Sequence, residues 1–196
     1  MGNTKAPVLR EELPRILQAA SEVDREWRGE RYQTPHGEIG EAVATILILR
    51  YTGMHVSVLA EPEDHKLRVQ DEDDVRCIAW VRTKKDPIEG HVSIPIASEI
   101  TFDVAAYIEE RKKRSRRKYQ SSRQYYHALI KRVGRAAGMP DISPMTFRHT
   151  MAVDLLEQGA PEILVMQVLN CSKKVLKTYG KYTKRHKMAF FKRIGW

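Results

Sequence analysis

Cysteine is scarce in this chain: Cys77 and Cys171 are the only two among 196 residues. They lie far apart, and neither belongs to a Cys-x-x-Cys pair or a Cys/His spacing suited to zinc. That excludes a disulfide scaffold and a zinc module, and leaves two reduced thiols as the reading. Long apolar runs are also missing. None approaches the roughly 18 residues that span a bilayer. The opening Met1-Gly2-Asn3-Thr4-Lys5-Ala6-Pro7 has no apolar core of a signal peptide, and Ala6 breaks the myristoylation pattern. The expectation is a cytoplasmic protein with no membrane partner. No internal repeat and no long linker appear, so residues 1–196 are read as one domain.

Acidic residues are outnumbered, 25 against 34 lysines and arginines, for a net charge of +9 and a pI near 9.6. An excess of this size favours a polyanionic partner. It is concentrated. Arg111, Lys112, Lys113, Arg114, Arg116, Arg117 and Lys118 put seven cations in eight positions, whereas Glu61 to Asp74 is mostly acidic. A basic run can be merely a solvated face. This one adjoins Tyr119, Arg123, Tyr125 and Tyr126, which strengthens the case for nucleic acid.

Apolar spacing predicts a first helix over 7–20, beginning in earnest near Leu13, with Leu9, Leu13, Ile16 and Leu17 on one face. Residues 21–36 read as a loop or frayed helix end. A buried helix follows over 37–51, closed by Thr52-Gly53, where glycine is free to take the left-handed cap. Val56 to Leu59 suggests a short helix ended near Pro62. Val75–Val81 and His91–Ile96 are strand candidates joined by a lysine-rich hairpin, and Leu67–Val69 offers an edge strand. Helices dominate after Thr101: one from Val104 into the basic run, one carrying Leu129 and Val133, one opened by Ser143-Pro144, and one made by Ile163, Leu164, Met166, Val168 and Leu169. Residues 173–196 read as basic and less regular. The predicted class is mainly α with a small antiparallel β-sheet.

The most chemically suggestive stretch is Ser143 to Tyr182. It sets Arg148 at the head of a helix and, after a turn, a tyrosine read as exposed. Arginine's planar fork matches two phosphate oxygens, and a tyrosine held beside that phosphate is a candidate nucleophile.

These residues, in this order, resemble the catalytic domain of tyrosine recombinases, the phage and archaeal integrase family. The resemblance spans about 7–184, leaving 185–196 as a C-terminal tail. Leu49-Arg50-Tyr51-Thr52-Gly53-Met54-His55 through Leu59 looks like the box of the first catalytic arginine. Arg82-Thr83-Lys84-Lys85 through Ile96 looks like the lysine hairpin. Ser143 to Gly159 resembles the His-x-x-Arg box, Val168 to Ser172 the Leu-Gly-His turn, and Thr178 to Lys181 the tyrosine box. The resemblance implies DNA strand cleavage and rejoining through a 3′-phosphotyrosyl link, without metal or other cofactor, in site-specific recombination or DNA integration by a viral or plasmid mobile element. It also implies a dimer or tetramer on DNA held through the C-terminal tail. The chain starts almost at the catalytic domain, so the family's N-terminal core-binding domain is expected to be lacking.

Arg148, Lys84 and Tyr179 match the family's catalytic roles in residue type. His55 stands at the first arginine's place and supplies charge only when protonated. Val58 replaces the acidic residue three positions on. Met145 and Cys171 occupy positions of donor side chains; both are expected to pack as hydrophobes. Tyr182 is the alternative nucleophile, and Arg82 or Lys85 the alternative acids. Candidate contacts to double-stranded DNA are Arg82, Lys85, the cations of 111–118, His149, Lys173 and Lys174, with a structural role favoured for His149. With these substitutions the resemblance admits an active but atypical strand transferase, or a protein on the same scaffold that only binds DNA.

Overall fold

The computed structural model describes residues 7–28, 40–62, 66–81, 91–96, 104–109 and 122–180. A single 3-10 turn, Arg10–Glu12, leads into helix α1, Leu13–Arg28. There follow α2 (Glu41–Thr52), α3 (Val56–Ala60), strands β1 (Arg68–Glu72), β2 (Val75–Val81) and β3 (His91–Pro95), then α4 (104–109). The chain continues with α5 (Arg123–Ala136), α6 (Pro144–Glu157), α7 (Glu162–Leu169) and α8 (173–180). The class is as expected, mainly helical with a small antiparallel sheet.

Two boundaries differ from the sequence reading. Helix α1 continues to Arg28 instead of fading after residue 20, because Val23 and Asp24 are also buried against the fold. The Asp24 carboxylate accepts from the amides of Ala42 (2.9 Å) and Val43 (3.1 Å), capping the start of α2 from a neighbouring helix. Such charged bonds are worth about 1.5–3 kcal/mol each. Gly40 permits the approach, since a Cβ there would fall 1.9 Å from the carboxylate. Residues 173–180, read as irregular, are helical because Leu176 and Tyr179 find an apolar seat.

The sheet has the order β1-β2-β3, both pairs antiparallel, with Val69 opposite Ile78 and Ile78 opposite Ile94. Its β1–β2 turn places Asp73 and Asp74 at φ 48° and 62°, as a two-residue hairpin with native twist requires. Ile78 and Trp80 face the main core, while Cys77 and Ala79 on the other face are also buried. The main core joins α1, α2, α3, the sheet, α4, α5 and Phe147 of α6. A second, smaller cluster holds Ala152, Val153, Val165, Leu169, Leu176 and Tyr179.

Helix α2 is buried almost all round, as its apolar run Ile46 to Leu49 dictates. Gly53 caps it at φ 60°, its amide bonding Leu49 O at 3.0 Å. A Cβ on Gly53 would also strike Leu169 Cδ2 at 2.5 Å. Glycine is thus required at this corner twice over, once for conformation and once for space. On α7 Ile163 and Leu164 are exposed, and Val165 and Leu169 are the buried pair. The helix is apolar all round, so its spacing alone does not tell which side packs.

Candidate active site

Helix α6 begins where Pro144 takes the first helical position and Ser143 the cap. The Ser143 amide donates to Thr146 Oγ1 (3.1 Å). Thr150 Oγ1 donates to Thr146 O (2.9 Å) and accepts from the Val8 amide (2.8 Å), which ties the N-terminal segment to the same helix. On this anchored helix Arg148 is 5% exposed and its Nη1 donates to Gly53 O at 2.7 Å. The obligatory glycine at the end of α2 therefore supplies the acceptor that orients the arginine.

After α7 the chain reverses at Asn170, which sits at φ 45°, a left-handed conformation asparagine tolerates. The Cys171 amide closes the turn on Met166 O (3.1 Å). Ser172 then starts α8: its Oγ accepts from the Val175 amide (3.4 Å) and its carbonyl from the Leu176 amide (3.0 Å). Periods of three and four residues bring Leu176 and Tyr179 onto the inner face. Tyr179 is 1% exposed, and its ring lies 5.2 Å from that of His149, tilted by 56°.

The electrostatics follow from that burial. Loss of solvent pushes the Tyr179 phenol above its ordinary 10.0, the positive charge of Arg148 opposes the rise, and Cys171 adds to it. Burial likewise raises the Cys171 thiol above 9.0, again opposed by Arg148. Arg148, Cys171 and Tyr179 thus lie close enough to act on one another. The phenol oxygen is sealed from solvent and has no well-formed hydrogen bond among the described residues; a weak approach of the Arg148 guanidinium is the last and smallest influence on it. The guanidinium acts on it chiefly by charge.

His55 is the N-cap of α3, exposed, two residues beyond the carbonyl that holds Arg148. Lys173 and Lys174 are exposed on the first turn of α8. Two expectations need correction. Tyr179 is buried, not exposed, because α8 turns it into the small cluster. Met145 is 41% exposed instead of packed, since it lies on the outer side of the first turn of α6. His149 is buried beside the tyrosine ring. Cys171 is half-buried. Lys84, Arg82, Lys85, Tyr182 and the cations Arg111, Lys112, Lys113, Arg114, Arg116, Arg117 and Lys118 lie outside the described residues.

Sequence reasoning missed Arg50 and Asp154, which form a buried ion pair between α2 and α6, with side chains 7% and 13% exposed. The available signal was a charge inside each of two strongly apolar helical runs.

The model of the phage integrase family matches residues 8–187. The chain belongs to that family. It is 27% identical over 152 residues to the tyrosine recombinase XerA of Pyrococcus horikoshii, covering 72% of this chain and 50% of that protein. The chain spans about half the length of the curated relatives it matches. The crystal structure of XerA recombinase superposes with a TM-score of 0.65 at 20% identity, over 100% of this chain and 67% of the other. That of XerH site-specific recombinase bound to palindromic difH substrate, a post-cleavage complex, gives 0.63 at 16% identity, over 98% and 53%. The fold is that of a tyrosine-recombinase catalytic domain. Among the described residues no helix is long and apolar enough to cross a membrane.

Proposed function

We propose that this chain binds duplex DNA and cleaves and rejoins one strand through a 3′-phosphotyrosyl intermediate, as part of site-specific recombination or integration of a viral or plasmid mobile element. The observation that carries the reading is the convergence of Arg148 and Tyr179, from helices α6 and α8, within reach of each other's charge. In the reaction the Tyr179 oxygen attacks phosphorus, the P–O5′ bond breaks, and the strand leaves as a 5′-hydroxyl. The phenol is protonated at neutral pH, so the oxygen first leaves its sealed seat, and its proton then passes to solvent base as the new bond forms. Lys84 is the acid that protonates the departing oxygen, with Arg82 and Lys85 as its alternatives. Arg148 stabilises the charge gathering on the phosphate, and His55, at the mouth of the same corner, adds a donor. The net charge of +9 supplies the nonspecific attraction. The cations of 111–118, with Lys173 and Lys174, are the proposed backbone contacts. We assign assembly on DNA to the tail, residues 185–196, exchanged between copies.

A second reading, DNA binding without cleavage, draws on one observation: Met145 and Cys171 bring no strong donor, and the Tyr179 oxygen is sealed. A nicked suicide duplex separates the two. Cleavage predicts a covalent protein–DNA adduct with wild type that disappears in Tyr179→Phe and persists in Tyr182→Phe. Tight, salt-sensitive binding with no adduct on any cognate duplex selects the binding reading, and failure to bind DNA at moderate salt sinks both.

A further inference from the structure

The strongest feature not used by that mechanism is the ion pair between Arg50, in the last turn of α2, and Asp154, in the second half of α6. Both side chains are nearly sealed from water. A buried pair of this kind is weak evidence for stability, because desolvating two charges offsets most of their attraction, and apolar replacements are often neutral. What it does supply is direction: a charge-assisted bond has one good geometry, whereas apolar helix faces can slide.

The placement gives that direction a use. Arg50 lies three residues before Gly53, whose carbonyl holds Arg148, and five before His55. Asp154 lies six residues after Arg148 on α6. The end of α2 is therefore fastened to α6 at two points, by the ion pair on one side and by Arg148–Gly53 on the other. Thr52 Oγ1, bonded to Ile48 O (2.6 Å) and to the Met54 amide (3.2 Å), stiffens the backbone between them. We infer that Arg50 and Asp154 are positioning residues, which fix the register of α2 on α6 and so hold the Arg148 guanidinium against Tyr179. They touch neither DNA nor the reacting atoms.

The inference rests on the proposed reaction for its effect on rate, but its test need not. Arg50→Met/Asp154→Leu replaces the pair with apolar groups of similar size and leaves no lone buried charge. The expected result is a folded protein of near-wild-type Tm and DNA affinity within about threefold. Its adduct formation on the suicide duplex is slower by about a hundredfold, the cost of a misplacement of about 1 Å. Arg50→Asp/Asp154→Arg is expected to restore part of that rate. A double variant that cleaves at the wild-type rate overturns the inference.

Should wild type form no adduct, the second readout decides. With 3-fluorotyrosine placed at position 179, the 19F signal reports the phenol's titration without DNA. Loss of Arg148 from its neighbourhood moves the midpoint to higher pH in the double variant. An unchanged midpoint overturns the inference whether or not the protein cleaves DNA. If the double variant does not fold, Arg50→Lys carries the same two measurements: it keeps the charge but loses the fork, and a wild-type rate and midpoint in that variant overturn the inference equally.

Discussion

The large core and the small cluster divide helix α6 between them. Phe147 belongs to the first, with residues of α1, α2, the sheet and α5; Ala152 and Val153 belong to the second, whose other fully buried members among the described residues are Val165, Leu169, Leu176 and Tyr179. Arg148 and His149 stand at the seam. The arginine is thus held by the rigid body, through Gly53, while the candidate nucleophile is held by the smaller one. Regions with few buried apolar contacts open at lower free energy than the global unfolding. In the proposed reaction the group that moves toward phosphorus belongs to the smaller cluster, and the group that stabilises the phosphate is held beside the larger one.

The comparison can be broken from both sides. Arg148→Ala is expected to have the largest effect on chemistry, slowing adduct formation about 10²–10³-fold, with DNA binding weakened far less. Truncating the neighbour of Arg148 in the large core, Phe147→Ala, is expected to cost about 3–5 kcal/mol of global stability in urea titration. Leu176→Ala, in the small cluster, should cost nearer ~2 kcal/mol, because a cluster with few members collapses around the gap more readily. Equal costs for the two would remove the distinction between the clusters. Gly53→Ala is expected to lose about 1–3 kcal/mol, since it forces a left-handed alanine into Leu169, and to slow cleavage as the carbonyl that orients Arg148 shifts.

The smallest predicted effect is on the pH dependence of stability. Burial raises both Tyr179 and Cys171, so the folded chain holds these protons more tightly than the unfolded one. Their stabilising contribution is complete below the unfolded-state values of 9.0 and 10.0 and is lost as pH climbs through them toward the raised folded values. Thermal unfolding followed from pH 8 to 11 should show a steeper loss of Tm for wild type than for Cys171→Ala/Tyr179→Phe. Parallel curves would show that neither group is buried as described.

Much of the fold was legible in the sequence, for identifiable reasons. Thr52-Gly53 announced a left-handed cap, and Ser143-Pro144 announced a helix start; both are local chemistry that tertiary structure had no cause to override. Val75–Val81 and His91–Ile96 carried strand composition strong enough to place the sheet. The errors came where burial is decided by distant partners. Helix α1 continues past residue 20 because Asp24 caps a different helix, which no local pattern encodes. Met145 is apolar yet exposed, and Tyr179 looked exposed beside Lys177, Thr178 and Lys181 but is buried. The site was legible as residue types in order, Arg148 and Tyr179 above all. The Arg50–Asp154 pair was not, since two isolated charges more than a hundred residues apart give no sign of each other.

The central claim is that Tyr179, and not Tyr182, is the residue that Arg148 presents with phosphate. Trypsin cuts after Lys177, Lys181 and Lys184, placing the two tyrosines on separate peptides, Thr178–Lys181 and Tyr182–Lys184. Mass spectrometry of the adduct trapped on the nicked duplex therefore tests the claim directly. The account predicts the nucleotide remnant on Thr178–Lys181; its appearance on Tyr182–Lys184, or on neither peptide, would contradict it.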